Sequence, residues 1–176
     1  MDKKHKKLLS RALKIIAIIV LLFFIFKGLL VLFVLILLSL GLSFIINNLQ
    51  IRSIGIELVT LIAVLTGMKY GPWTSCVLTF ILILYHLATG GFFGPYWFWV
   101  IPAYCVAAII SGFMPAADIS QLGFYITLGI NFNNVLFTGI TSPGFLPKYL
   151  PYAVTNALFN IILFSLLARP LLLLMI

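Results

Sequence analysis

The chain has 176 residues, of which 64% are hydrophobic and only 8% are charged, with a formal net charge of +8. A soluble domain has about 25% charged residues, so this sequence has too few polar side chains to cover a core that faces water. The composition predicts an all-α, polytopic transmembrane helical bundle, and at ~20 residues per span the length allows about six spans.

The positive charge is concentrated at the start of the chain. Six of the eleven basic residues lie in the first fourteen positions: Lys3, Lys4, Lys6, Lys7, Arg11 and Lys14. A basic cluster before an apolar run is retained in the cytoplasm and can contact anionic headgroups of the bilayer. We therefore predict a basic cytoplasmic segment over 1–14 and a single transmembrane domain over 15–176, in a multi-pass protein of the cell membrane. Nucleic-acid binding would need basic residues spread over a folded surface, and is not expected.

The first apolar run, 8–46, is too long for one span. As a helix it would be ~58 Å long, nearly twice the ~30 Å hydrocarbon core. Lys27-Gly28 interrupts it. Either two helices meet there in a hairpin, or an interfacial helix leads into a span over 28–46. The choice decides between six and seven spans, and the distribution of basic residues favours neither.

The rest of the chain alternates between apolar runs and loops with polar, Gly or Pro residues. The aromatic run Tyr96-Trp97-Phe98-Trp99 marks a membrane–water interface, where Trp and Tyr concentrate. Pro72 is well placed to start a helix, since the first turn does not need its N–H. The predicted helices after the first run cover 54–68, 73–88, 97–113, 122–138 and 149–176.

No catalytic or nucleotide-binding motif is present. The three acids are Asp2, Glu57 and Asp118, too few for a pair of carboxylates within the membrane. Cys76 and Cys105 lie in apolar runs without Cys or His partners at ligand spacing. We expect no enzyme activity, no metal site and no cofactor, and no pump that drives itself with ATP.

Two ionisable residues are candidates for a binding site. Glu57 is the one acid in a predicted span, where such residues are rare and often functional. It also lies near a helix start, where a solvated interfacial carboxylate would favour the helix dipole. His86 lies near the end of its helix, so it can either hydrogen-bond at the interface or contact a ligand.

Two pairs of asparagines lie inside predicted helices. Asn131 and Asn134 share one helical face, as do Asn156 and Asn160. Amides in lipid need partners, so both pairs are expected to point inward. They can form interhelical hydrogen bonds, worth about 0.6 kcal/mol each in membranes, or line a small-molecule pocket. If they line a pocket, Asn156→Leu should abolish ligand binding and leave folding intact.

Two stripes of small residues predict close helix approach, within the protein or against a partner subunit. They are Ala63, Gly67 and Gly71 in one helix, and Ala103, Ala107 and Ser111 in another.

The run IELVTLIAVLTGMKYGPWTSCVLTFILILYHL and the later GGFFGPYWFWVIPAYCVAAIISGF share a pattern with a known family. A polar helix start, a G-x3-G-P hinge, a Gly/Pro-rich outer loop and a small-residue helix ending in Gly follow one another. Over about 50–170 the chain resembles the substrate-binding S component of energy-coupling factor vitamin transporters. The family's alanine-x3-alanine contact motif is absent from the first helix, where Ala12 and Ala17 are five apart.

The resemblance implies six helices with both termini in the cytoplasm. It implies capture of a vitamin-like micronutrient from outside, with a transmembrane coupling subunit and ATPases driving uptake. Such a protein needs an inward pocket lined by some of Glu57, His86, Trp97, Asn131, Asn134, Asn156 and Asn160. The alternative is a non-transporting scaffold like the rod-shape-determining membrane proteins, in which these amides pair with one another around a filled core.

Overall fold

The structure is a computed structural model that describes the backbone of residues 3–49, 54–91 and 94–175, with the side chains of these ranges except 3–13 and 16–25. All regular structure in these ranges is helical, which confirms the all-α prediction. The helices are α1 (Lys3–Asn48), α2 (Val59–Tyr70), α3 (Pro72–Thr89), α4 (Trp97–Phe113), α5 (Ile119–Thr141), α6 (Leu146–Leu163) and α7 (Arg169–Met175). A π-helical turn, Phe164–Ala168, joins α6 to α7 in one continuous rod.

Helix α1 is continuous through Lys27-Gly28, so of the two alternatives for this point the hairpin is wrong. A glycine inside a helix costs about 1 kcal/mol but does not end it, and no proline accompanies this one. Gly28 instead lets α1 lie close to the ends of α2 and α7, because a Cβ there would lie 3.1 Å from the Tyr70 hydroxyl and 2.5 Å from the Met175 carbonyl oxygen. In the described part of the chain, the helical segments that are long and apolar enough to cross a membrane are Phe26–Asn48, Pro72–Thr89 and Pro143–Met175.

Successive helices run in opposite directions. Helices α1 and α3 end side by side, where the Asn47 amide donates to Thr89 Oγ1 at 2.8 Å. At the other end of the bundle, Gly112 of α4 lies against Pro72 at the start of α3. We call the first of these the distal end, where α1, α3 and α5 end and α4 and α6 begin. The second, where α7 ends beside Gly28, is the proximal end.

Several polar side chains are buried within the apolar core of the bundle, and many large apolar side chains are exposed on its surface. Glu57, Thr66 and Asn160 are fully buried, whereas Phe98 is 85% and Trp73 70% exposed. Water would favour the opposite arrangement, because exposed apolar surface is costly in water and buried polar groups need partners. The distribution is compatible with an outer surface that meets lipid.

Helices α2 and α4 pack closely at their small residues. A Cβ added at Gly67 would lie 2.7 Å from Ser111 Cβ and 2.9 Å from the Ala108 carbonyl oxygen. Ala63 and Ala107 are buried on these two helices, and Ala103 is half-buried. Gly71 has a different place from the predicted packing stripe. Its φ of 89° ends α2 in a conformation that favours glycine, and a Cβ added there would have no atom within 4 Å.

Candidate functional site

A cavity of about 360 Å³ opens at the distal end, between the end of α3, the start of α4, the end of α5 and the start of α6. Its walls are mainly aromatic: Tyr96, Trp99, Tyr104, Phe145, Tyr149 and Tyr152. A few polar side chains interrupt them: His86, Asn134, Thr138, Ser142 and Lys148. Apolar walls with a small number of polar groups are typical of sites that bind small molecules.

The aromatic rings around the cavity form two groups, one beside α4 and one on α6. On the α4 side, Trp99 stacks on Phe137 with ring centroids 6.2 Å apart and 20° between the planes, and Tyr96 meets Trp99 edge-on at 6.4 Å. On the α6 side, Tyr149 and Tyr152 stack at 5.6 Å and 28°. Each ring is therefore held in place by a neighbour, which preforms the walls.

His86 connects the cavity to three helices. Its side chain is 3% exposed, and its Nδ1 lies 2.9 Å from Ser43 Oγ of α1. Its Nε2 lies 3.5 Å from the Tyr152 hydroxyl of α6. His86 is thus buried and hydrogen-bonded between helices rather than at the interface, and it also lies at the cavity wall, so contact with a ligand stays a prediction.

Glu57 lies below the cavity and is fully buried, so the solvated interfacial interpretation is wrong. Its Oε2 accepts from the Thr60 backbone N–H at 3.0 Å, which caps α2. Its Oε1 accepts from the Thr60 hydroxyl at 2.6 Å, from Asn160 at 3.0 Å and from Asn156 at 3.3 Å. The positive end of the helix dipole and these donors compensate the buried carboxylate.

Asn131 and Asn156 extend this cluster. The Asn131 amide donates to Asn156 Oδ1 at 2.8 Å, and Asn156 donates to the Gly55 carbonyl at 2.9 Å. One residue of each asparagine pair thus bonds across to the other pair, but Asn131, Asn156 and Asn160 bond to the protein and lie outside the cavity lining. Asn134 alone of the four reaches the cavity.

Trp97 also lies outside the cavity. With Phe98 and Pro102 it lines a shallow depression on the outer surface. Trp99 forms the cavity wall instead, since two residues along a helix point to nearly opposite sides. The sequence does contain a signal for the aromatic cavity residues that were not predicted. Tyr96 and Trp99 are three apart at the start of a helix, as are Tyr149 and Tyr152, and residues i and i+3 share a helical face.

Among the described residues that line the cavity, Lys148 is the charged one, and it is exposed at the mouth. These described lining residues include no acid. Burial raises the pKa of the Tyr96 phenol, opposed by a hydrogen bond with Trp97, so this hydroxyl stays protonated and able to donate at neutral pH.

Comparison with models of known protein families, with curated proteins and with solved structures finds no match to this chain.

Proposed function

We propose that this chain is the membrane-embedded substrate-binding subunit of a multi-component importer for a vitamin-like micronutrient. The observation that supports this proposal is the aromatic cavity of about 360 Å³ at the distal end of the bundle. Its volume lies within the range of about 300–1,000 Å³ for ligand sites, and its preformed walls lower the cost of ordering a bound molecule.

In the proposed arrangement each of the six helical rods crosses the bilayer once, and both ends of the chain are cytoplasmic. The basic cluster belongs to the start of α1, and α1 ends at the distal end, so the positive-inside rule directs the cavity outward. Helix α2 is only ~18 Å long. It is enclosed by the other helices, with ten of its twelve residues buried, so it does not need to match the bilayer thickness.

Uptake would require partners. The sequence has no nucleotide-binding motif, so energy would come from ATPase subunits through a transmembrane coupling subunit. The resemblance to S components supports this separation of substrate binding from ATP hydrolysis in different subunits.

A second candidate function is a membrane scaffold that recruits partner proteins and binds no small molecule. The cluster of Glu57, Asn131, Asn156 and Asn160 favours it, because these side chains bond to one another or to the backbone. A scaffold has no need of the cavity above them, so binding of a small molecule separates the two functions.

The test is native mass spectrometry of the protein in nanodiscs after incubation with a small-molecule extract of the cells that make it. We expect a retained molecule with the wild type, and its loss with Trp99→Ala, which removes one cavity wall. Phe98→Ala is the matched control, since Phe98 is the neighbouring aromatic residue and faces outward. If the wild type retains nothing beyond the Trp99→Ala level while its thermal unfolding is intact, the binding function is excluded and the scaffold remains.

A further inference from the structure

We propose that the cavity selects a planar aromatic acid: a molecule with fused rings that lie against the aromatic walls and an anionic group that stays at the mouth beside Lys148. This inference rests on the proposed binding function and adds the chemical class of the ligand.

The walls favour a flat ring. Trp99 of α4 is held by Phe137, and Tyr149 of α6 is held by Tyr152, and both Trp99 and Tyr149 line the cavity. A planar aromatic molecule can stack on or meet the edge of such rings, which is worth about 0.5–1.5 kcal/mol per ring pair beyond area burial. A saturated molecule of the same volume makes the apolar contacts without this contribution.

Aromatic walls also suit cations, because the face of a Trp or Tyr ring attracts an ammonium group. The charges around the cavity decide between the two classes. Lys148 is exposed at the mouth and repels a cation there, and none of the lining residues that the structure describes is an acid that could offer a counter-charge. Glu57, the nearest acid in the core below, has both carboxylate oxygens occupied by hydrogen-bond donors.

The same charges favour an anionic ligand. At the mouth its charge stays partly in water and next to the Lys148 ammonium, so it avoids the cost of burying an unpaired charge. Tyr149 and Tyr152 also line the cavity, and because a phenol can accept as well as donate, their hydroxyls can hydrogen-bond polar atoms on the rings. One end of the ligand is thus apolar and flat, and the other is anionic and near solvent.

Three probes of one size separate these features: naphthalene-2-carboxylate, naphthalen-2-ylmethylammonium and decahydronaphthalene-2-carboxylate. Their binding to the protein in zwitterionic nanodiscs is measured by equilibrium dialysis, with empty nanodiscs correcting for partition into lipid. We expect naphthalene-2-carboxylate to bind about tenfold more tightly than either other probe. Lys148→Met should remove most of its preference over the ammonium probe. Lys14→Met, at an exposed lysine of the basic cluster, should leave that preference unchanged.

Each of the other outcomes contradicts one part of the proposal. Tighter binding of the ammonium probe overturns the anionic ligand, and equal binding of the saturated acid overturns the planar one. If none of the probes binds while the wild type retains a cellular molecule that Trp99→Ala loses, the ligand class is wrong and the binding function stands. If no molecule of either kind binds, the proposed function itself fails.

Discussion

The Asn160 amide donates a hydrogen bond of 3.0 Å to the Glu57 carboxylate, from the last turn of α6 to the start of α2. Asn160 also donates to the Asn156 carbonyl at 3.2 Å, so one amide links the acid to the α6 backbone. A carboxylate in this position has no water to replace a lost donor, which makes the link important for stability.

Asn160→Leu should destabilise the protein. The substitution removes a donor from a fully buried carboxylate, and an unsatisfied buried polar group costs about 1–3 kcal/mol, more when charged. Unfolding of the purified protein, followed by circular dichroism in mixed micelles with increasing SDS, measures the loss. Asn48→Leu is the matched control, because Asn48 is exposed and bonds only the Phe44 carbonyl of its own helix.

The cost should fall when the charge is removed as well. In the Glu57→Gln background the same Asn160→Leu change should cost less, because a neutral amide needs its donors less than a carboxylate does. Additive effects in this double-mutant cycle would contradict the proposed link.

Asn156→Leu should also destabilise the fold, in contrast to the expectation from sequence that it would spare it. Asn156 bonds Asn131, Gly55 and Glu57, and leucine leaves all three without that partner. We expect a loss of about 1–3 kcal/mol in the same SDS titration. An unchanged unfolding midpoint with lost ligand binding would instead return Asn156 to the binding site.

Gly67→Ala should destabilise the packing of α2 on α4. The new Cβ would lie within 3 Å of Ser111 and Ala108, so the helices must move apart, at a cost of about 1–3 kcal/mol. Gly129→Ala is the control within α5, because nothing lies within 4 Å of a Cβ there. Alanine is the better helix former, so the control should be neutral or up to about 1 kcal/mol more stable. Equal effects of the two variants would argue against close packing at Gly67.

Asn47→Leu should loosen the attachment of α1 at the distal end. It removes the bonds of 3.0 Å to the His86 carbonyl and 2.8 Å to Thr89 Oγ1. Hydrogen–deuterium exchange of the backbone amides at 43–48 should become faster than in the wild type, by roughly tenfold for each 1.4 kcal/mol lost. The adjacent Asn48→Leu variant should exchange like the wild type, and equal rates in both variants would contradict the role of Asn47.

Local sequence signals located most helices well. The helix predicted over 97–113 agrees with α4, and Gly71-Pro72 marks the boundary between α2 and α3. These signals depend on one residue type at one position: a positive φ that glycine adopts readily, and a ring that fits the first turn. Lys27-Gly28 carries no signal of this kind that could end a helix, so α1 continues through it.

The choice of cavity residues needed the tertiary structure. Composition alone does not distinguish Trp97 from Trp99 as a cavity residue. The rotation of α4 in the bundle places Trp97 at the outer surface and Trp99 at the cavity. For Glu57 the sequence likewise shows only that it lies near a helix start. Only the packing of α6 across it decides that asparagine amides, and not water, complete its hydrogen bonds.

The sequence by itself determined that the chain is helical and strongly apolar, and it predicted six or seven spans; in the part of the chain that the structure describes, three helical segments are long and apolar enough to cross a membrane. Hydropathy and helix formation sum over neighbouring residues, so they can be read along the chain. The tertiary structure decided which polar groups meet and where a cavity remains. Those outcomes depend on distances between residues far apart in sequence, such as Glu57 and Asn160, and on which face each helix turns to its neighbours.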